Sequence, residues 1–180
     1  MKEIEVKILE VNRKKTEETL TNLGAKKVFD DDIRTLFFDF KDGAIIKAKD
    51  VLRLRKEQDK TELTYKKVSA NQTAKVAEEY SVKVSNMEIM KKILENLGLH
   101  IIESMQKHRV SYTLDHVRFD IDRYYGEYEY IPEFMEIEAE NIDLIHKYAE
   151  LLGFKDKDCL PWSTEDLIRH YAFKKGKTAT

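Results

Sequence analysis

Full charges alternate with apolar residues at a period of two in segment after segment of this 180-residue chain. Successive side chains of a strand point to opposite faces, so such segments can only be strands with one charged face and one greasy face. Glu3, Glu5 and Lys7 oppose Ile4, Val6 and Ile8. Arg53 and Arg55 oppose Leu52 and Leu54, and Glu62 and Lys66 oppose Leu63 and Tyr65. Lys107 and Arg109 oppose Val110 and Tyr112; Arg118, Asp120 and Asp122 oppose Val117, Phe119 and Ile121; Glu136 and Glu138 oppose Met135, Ile137 and Ala139. For any single strand, a half-exposed antiparallel sheet with a solvated face explains this pattern. The repetition does not fit that reading, because a solvated face would mix Thr, Ser, Gln and Lys, whereas here both signs of full charge dominate. Like charges this close are unfavourable unless an opposite charge lies between them. Divalent cations would satisfy the Glu and Asp sets, and a polyanion the Arg and Lys sets.

The strands read as Glu3 to Leu9, Val28 to Phe40, Val51 to Lys56, Thr61 to Val68, Glu79 to Val84, Gln106 to Leu114, Val117 to Asp122 and Phe134 to Ala139. Asp59-Lys60 and Asp115-His116 have the character of hairpin tips. Three helices follow a common plan, in which an Asn stands twelve residues before a Leu-Gly pair: Asn12 to Gly24, Asn86 to Gly98 and Asn141 to Gly153. Asn suits the N-cap, and Gly the left-handed position past the helix end. Their expected apolar faces are Leu20 and Leu23; Ile89, Ile93, Leu94 and Leu97; and Ile145, Tyr148, Leu151 and Leu152. A fourth helix, Thr164 to Phe173, is announced by Ser163 with Asp166 three residues on. Lys41 to Lys49 and Ser69 to Lys75 read as the longer, mobile loops.

Closing about eight strands gives a barrel with room for one small ligand. The expected fold is therefore α+β: a closed eight-stranded antiparallel β-barrel, or tunnel, with charged faces inward and helices packed outside. One domain over residues 1–173, followed by a frayed basic tail at 174–180 carrying Lys174, Lys175 and Lys177, accounts for the length. Charged residues make up 37% of the chain, yet the net charge is only -2, which argues against a sequence-wide nucleic-acid or membrane-surface binder. The lone Cys159 cannot form an intrachain disulfide, and no apolar run approaches membrane-spanning length. A cytoplasmic setting is expected. The five His show no ligand spacing, and no Walker-type loop is present to hold phosphates.

With those residues assembled, the chain resembles the CYTH proteins, also called triphosphate tunnel metalloenzymes. Their Glu-x-Glu-x-Lys signature stands here as Glu3-Ile4-Glu5-Val6-Lys7. Arg53-Leu54-Arg55, Lys66, Lys107-His108-Arg109, the Asp122 strand end and Glu136-Ile137-Glu138 follow in family order. The resemblance implies an eight-stranded tunnel that binds triphosphate, in tripolyphosphatases, thiamine-triphosphatases or class IV adenylyl cyclases. By that likeness Glu3, Glu5, Asp122, Glu136 and Glu138 would hold Mg²⁺ or Mn²⁺, with Glu79 and Asp120 as further acidic candidates. Lys7, Arg53, Arg55, Lys66, Lys107 and Arg109 would grip phosphates, and Glu5, Lys7 and Arg55 would serve the chemistry. The chain departs from the family at the fifth strand, where Ser81 and Lys83 stand in place of acids, and at a longer loop containing Tyr124, Tyr125, Tyr128 and Tyr130. Those tyrosines either stack on a base or thiazole ring or pack on the barrel itself.

The function expected is a metal-dependent triphosphatase acting on tripolyphosphate, ATP or thiamine triphosphate. The alternatives are a class IV adenylyl cyclase making cyclic AMP and pyrophosphate, and a non-catalytic polyphosphate- or nucleotide-binding module. The partner is a small-molecule triphosphate, with no nucleic acid and no membrane; a homodimer is compatible with this reading.

Overall fold

The computed structural model describes residues 4–71 and 74–174. Eight strands and five helices are present among them: β1 (Ile4–Ile8), α1 (Arg13–Asn22), β2 (Lys26–Phe40), α2 (Ala44–Lys47), β3 (Val51–Glu57), β4 (Lys60–Asn71), β5 (Ala74–Val84), α3 (Met87–Asn96), β6 (Leu99–Leu114), β7 (Val117–Tyr124), β8 (Phe134–Ala139), α4 (Ile142–Leu151) and α5 (Thr164–Lys174). The strands form one antiparallel sheet in the order β1-β8-β7-β6-β2-β3-β4-β5. The chain divides into two compact units, one from residues up to Asp31 and from Lys107 onward, the other from Asp32 to Gln106. Both β2 and β6 contribute residues to each.

Local signals explain the helices. The side chains of Asn12, Asn86 and Asn141 accept the N–H groups of Lys15, Ile89 and Leu144, each at 3.0 Å, which satisfies one orphan donor per helix. At the other ends of α1 and α4, Gly24 and Gly153 take φ values of 86° and 87°. The N–H groups of Ala25 and Phe154 then reach back to the carbonyls of Leu20 and Ala149 at 2.9 Å, a Schellman closure that needs a left-handed residue. Before α5, Ser163 and Asp166 cap each other reciprocally.

In the first unit the apolar strand faces are covered as the alternation requires. Val6, Ile8, Val110, Tyr112, Phe119, Ile121, Met135 and Ile137 pack with Leu20 of α1 and with Ile145, Tyr148 and Ala149 of α4. In the second unit Leu36, Phe38, Ile45, Leu54, Met87, Leu94 and Leu99 form a separate core. The expected faces of α3 and α4 need correction there. Ile89, Ile93 and Leu97 are 58%, 46% and 67% exposed, and Leu151 is exposed as well. Met87 and Leu94 are the buried residues of α3, so its apolar surface is wider than the stripe the sheet covers.

Three other expectations shift. The segment Lys41 to Lys49 holds α2, because the fully buried Asp39 carboxylate accepts the N–H groups of Phe40, Ile45 and Ile46 at 2.7, 2.9 and 3.0 Å. Ser69 to Lys75 is not an independent loop: β4 and β5 stay paired through Ser69↔Val76, Ala70↔Lys75 and Asn71↔Ala74, while residues 72 and 73 lie outside the described set. The β3–β4 tip is Gln58-Asp59, one residue earlier than read, since Lys60 pairs with Glu57 in the ladder. Asp115-His116 is a tip as read, with both φ values positive (47° and 64°), the geometry that matches strand twist in a two-residue hairpin.

The sheet is not closed by hydrogen bonds, and the ladder ends at β1 and β5. On the side of β1 away from β8, the Lys7 N–H donates to Leu160 O at 2.8 Å and the Leu160 N–H to Lys7 O at 2.9 Å. That edge position is therefore already occupied. Among the described residues no helix is long and apolar enough to cross a membrane.

Candidate functional site

In an antiparallel ladder directly opposed residues share a face. The register Glu5↔Glu138, Lys7↔Glu136, Arg118↔Glu138, Asp120↔Glu136 and Arg109↔Asp122 therefore gathers charged side chains from β1, β8, β7 and β6 onto one surface of the first unit. At its centre is Arg109, 8% exposed. Its guanidinium binds Asp122 through Nε at 2.6 Å and Nη2 at 2.5 Å, Asp120 through Nη1 at 2.5 Å, and Glu136 through Nη2 at 2.5 Å. Lys107 donates to Asp122 at 2.6 Å. Lys7 donates to Glu136 at 2.7 Å and also to Glu5. Arg118 donates to Asp120 at 2.9 Å and to Ser111 at 3.2 Å.

Burial and neighbouring charge pull the titrations of this cluster apart. Burial drives the Lys7 ammonium toward a lower pKa, but the charges of Glu136 and Glu5 overcome it, and the net shift is upward. For Lys107 burial prevails over Asp122, with Arg109 adding repulsion, so its pKa falls below the usual lysine value. Burial would raise the Glu136 carboxyl, yet Lys107, Arg109 and Lys7 together hold it well below the ordinary carboxylate range. Each sign follows from whether desolvation or the combined pull of the neighbouring charges and hydrogen bonds prevails.

The aromatic residues occupy one end of the same face. Tyr124 lies opposite Lys107, and Phe134 opposite Asp122. Their rings stack with centroids 5.8 Å apart, and the Lys107 ammonium is 5.7 Å from the Tyr124 centroid. Tyr128 packs edge-on against Tyr124, and Tyr130 against Tyr128. Tyr124 packs on the protein itself, 4% exposed and walled by its own neighbours, whereas Tyr125 is 39% exposed.

The second unit presents its own charged face. Arg55 lies opposite Glu62, and Arg53 opposite Thr64; Glu62 lies opposite Lys83, Thr64 opposite Ser81 and Lys66 opposite Glu79. Lys66 and Glu79 form an ion pair at 2.5 Å, Arg55 pairs with Glu57, and the Thr64 and Ser81 hydroxyls are 2.9 Å apart. Glu79 is thus an ion-pair partner of a candidate phosphate-gripping lysine. Ser81 and Lys83 take the same alternate positions on β5.

Of the residues read from the sequence, Glu5, Lys7, Lys107, Arg109, Asp120, Asp122, Glu136 and Glu138 come together in the first unit. Arg53, Arg55, Lys66 and Glu79 come together in the second, and Glu3 lies outside the described residues. Sequence reading missed Ser111, fully buried beside Arg118, and Glu57, the partner of Arg55; both continue the period-two alternation that identified their neighbours. Among the described residues no three acidic, His or Cys side chains converge as a ready metal cage. The donors still suit a hard cation. Glu5 and Glu138 are directly opposed carboxylates, and Mg²⁺ commonly binds through one or two carboxylates plus water and phosphate oxygens.

An α+β protein whose antiparallel sheet carries a buried network of lysines, arginines and carboxylates is thereby defined. The CYTH domain matches residues 1–165, and the chain belongs to the CYTH domain family. It is similar to a Methanocaldococcus jannaschii protein named "Putative adenylate cyclase MJ0240", with 29% identity over 150 residues and 82% of each chain covered. The solved structure of the PH1012 protein from Pyrococcus horikoshii OT3 superposes with a TM-score of 0.71 at 25% identity, over 92% of this chain and 99% of that one. HpAC1 from Hippeastrum, an adenylyl cyclase homologue described as having a dominant triphosphatase activity, shares the fold with a TM-score of 0.64 at 15% identity, over 99% of this chain and 98% of that one.

Proposed function

We propose that this chain is a divalent-metal-dependent triphosphatase that hydrolyses a terminal phosphoanhydride of tripolyphosphate or of a nucleoside or thiamine triphosphate on its charged sheet face. The observation that carries this reading is the meeting of Lys7, Lys107 and Arg109 with the buried or largely buried Asp120, Asp122 and Glu136, and with the more exposed Glu5, on one sheet face. Burying so many charges costs several kcal/mol per ion unless each is paired, and a network serving stability alone would be replaced by apolar residues at little loss. Retaining it makes sense where cations must meet a polyanion.

In this reading Lys7, Lys107 and Arg109 exchange part of their carboxylate contacts for phosphate oxygens, and Arg53, Arg55 and Lys66 are the phosphate-gripping candidates of the second unit. Arg suits bidentate recognition of phosphate, while Lys acts as a point charge. Glu5 and Glu138, with Glu3, Glu136 and Asp122 as further oxygen donors, would hold Mg²⁺ or Mn²⁺. When bound, the ion supplies neutralisation of phosphate charge. Phosphoryl transfer needs mainly positioning and charge stabilisation, so Lys7 acts by holding the charge that develops on the transferred group, and Arg55 is the candidate for such a role in the second unit. The activity described for the Hippeastrum protein supports hydrolysis.

The name of the Methanocaldococcus jannaschii relative favours a second reading, an adenylyl cyclase. Purified protein incubated with ATP and Mn²⁺, followed by product separation, decides between them. Hydrolysis predicts ADP and inorganic phosphate; cyclic AMP with pyrophosphate replaces it by the cyclase. Tight tripolyphosphate binding without turnover under any divalent ion leaves a binding module.

A further inference from the structure

The candidate site lies on the strands, but one of its lysines, Lys7, is backed by a segment that is not part of any charged strand. Leu160 precedes Pro161, and a residue before proline is driven into extended backbone. It exchanges both hydrogen bonds with Lys7 across the free edge of β1, at 2.8 and 2.9 Å. Pro161 has no N–H and cannot extend a ladder, which confines the pairing to this one bridge.

The helix that follows is fixed to the exit of the same strand. Leu167, Tyr171 and Ala172 are its buried residues. Tyr171 donates to Glu10 at 3.0 Å, and the Lys174 ammonium is 3.6 Å from the same carboxylate. Glu10 itself takes a φ of 55°, a left-handed conformation uncommon for such a residue. The contacts made by one short segment thus converge on the backbone of Lys7 and the turn leaving β1. The CYTH match ends at residue 165, so most of α5 lies beyond it.

We infer that Leu160 and Tyr171 are positioning residues: the C-terminal segment clamps β1 through the Lys7 backbone and, at the strand's exit, through Glu10, and so sets where the Lys7 ammonium stands on the charged face. The part of this claim that concerns phosphate rests on the triphosphate reading above; the clamp itself does not. It touches the substrate-facing groups only through others, and its loss changes their accessibility before it changes the fold.

The test is lysine acetylation of the full chain followed by mass spectrometry, in the wild type, Leu160→Pro, Tyr171→Phe and the control Arg169→Ala, whose side chain is 63% exposed. Leu160→Pro deletes the donor to Lys7 and is expected to accelerate acetylation of Lys7. Tyr171→Phe keeps the ring, deletes the bond to Glu10, is expected to fold even if the proline variant does not, and accelerates the same lysine. A hydrogen bond's ordinary net worth corresponds to about fivefold in each rate, with Lys14 and Lys91 unchanged and Arg169→Ala like the wild type. Titration with tripolyphosphate is expected to show affinity reduced about fivefold in both variants. Unchanged Lys7 rates in folded variants overturn the inference, as does a uniform rise over all lysines, which is the mark of general destabilisation. If the wild type binds no tripolyphosphate, the functional reading fails, and the acetylation rates still decide the clamp.

Discussion

Replacing Asp122 by Asn removes one negative charge from the most enclosed part of the network while keeping side-chain shape. Asp122 is fully buried and accepts two bonds from Arg109 and one from Lys107, at 2.5 to 2.6 Å. Its partners are also shielded, at 9% and 17% side-chain exposure, so solvent cannot take over its role. Removing one member of a buried ion pair typically costs 3–5 kcal/mol, because the partner's charge is left uncompensated. Arg109 keeps Asp120 and Glu136, which places Asp122→Asn at the lower end, about 3 kcal/mol. For a chain of this size that is a fall of about 6 to 12 °C in Tm. Urea denaturation at neutral pH, with the slope unchanged, measures it. Because the pairs are buried, the loss persists at high salt. A destabilisation under about 1 kcal/mol, or one erased by salt, would refute the view that these charges form an enclosed, mutually dependent cluster.

Other perturbations separate the remaining parts of the account. Glu136 has its pKa depressed in the folded chain, so its stabilisation is fully present above the ordinary carboxylate range and is lost only as pH falls through the lower folded value. The stability gap between wild type and Glu136→Gln is accordingly constant from about pH 7 to about pH 5 and shrinks only at more acid pH; shrinkage already between those two values contradicts the assignment. Asn141→Ala deletes the cap on Leu144 N–H and is expected to cost about 1 kcal/mol in chemical denaturation without altering phosphate release. Glu5→Gln leaves the fold intact, since Glu5 is 45% exposed, and removes stimulation by Mg²⁺ or Mn²⁺; unchanged metal dependence shows that the proposed ion is held elsewhere.

The parts of the fold that could be read from the sequence are those governed by neighbours in the chain. Asn141 and Gly153 report a helix because capping and left-handed closure are local events. Glu136 and Glu138 report a strand face because the pleat is strictly periodic. What escaped reading depends on distant residues. The turn of α2 forms because Asp39 collects three N–H groups, and nothing in the spacing of Lys41 to Lys49 marks it. Leu160 sits in a segment without periodicity, and its partner Lys7 is far away in sequence. Ile93 and Leu97 follow helical periodicity yet stay exposed, since periodicity identifies an apolar face but not the width that a sheet covers. Which charges gather on β1, β6, β7 and β8 was legible; that Arg109 would be the hub was not, because Lys7 and Lys107 have the same pattern and only the register separates them.

The most direct test of the central claim is a calorimetric titration of tripolyphosphate into the protein with Mn²⁺ present, run beside Arg109→Met. A polyanion held by the buried cations predicts saturable binding by the wild type that is lost or severely weakened in the variant. Absence of binding by the wild type, or binding of equal strength by folded Arg109→Met, contradicts it.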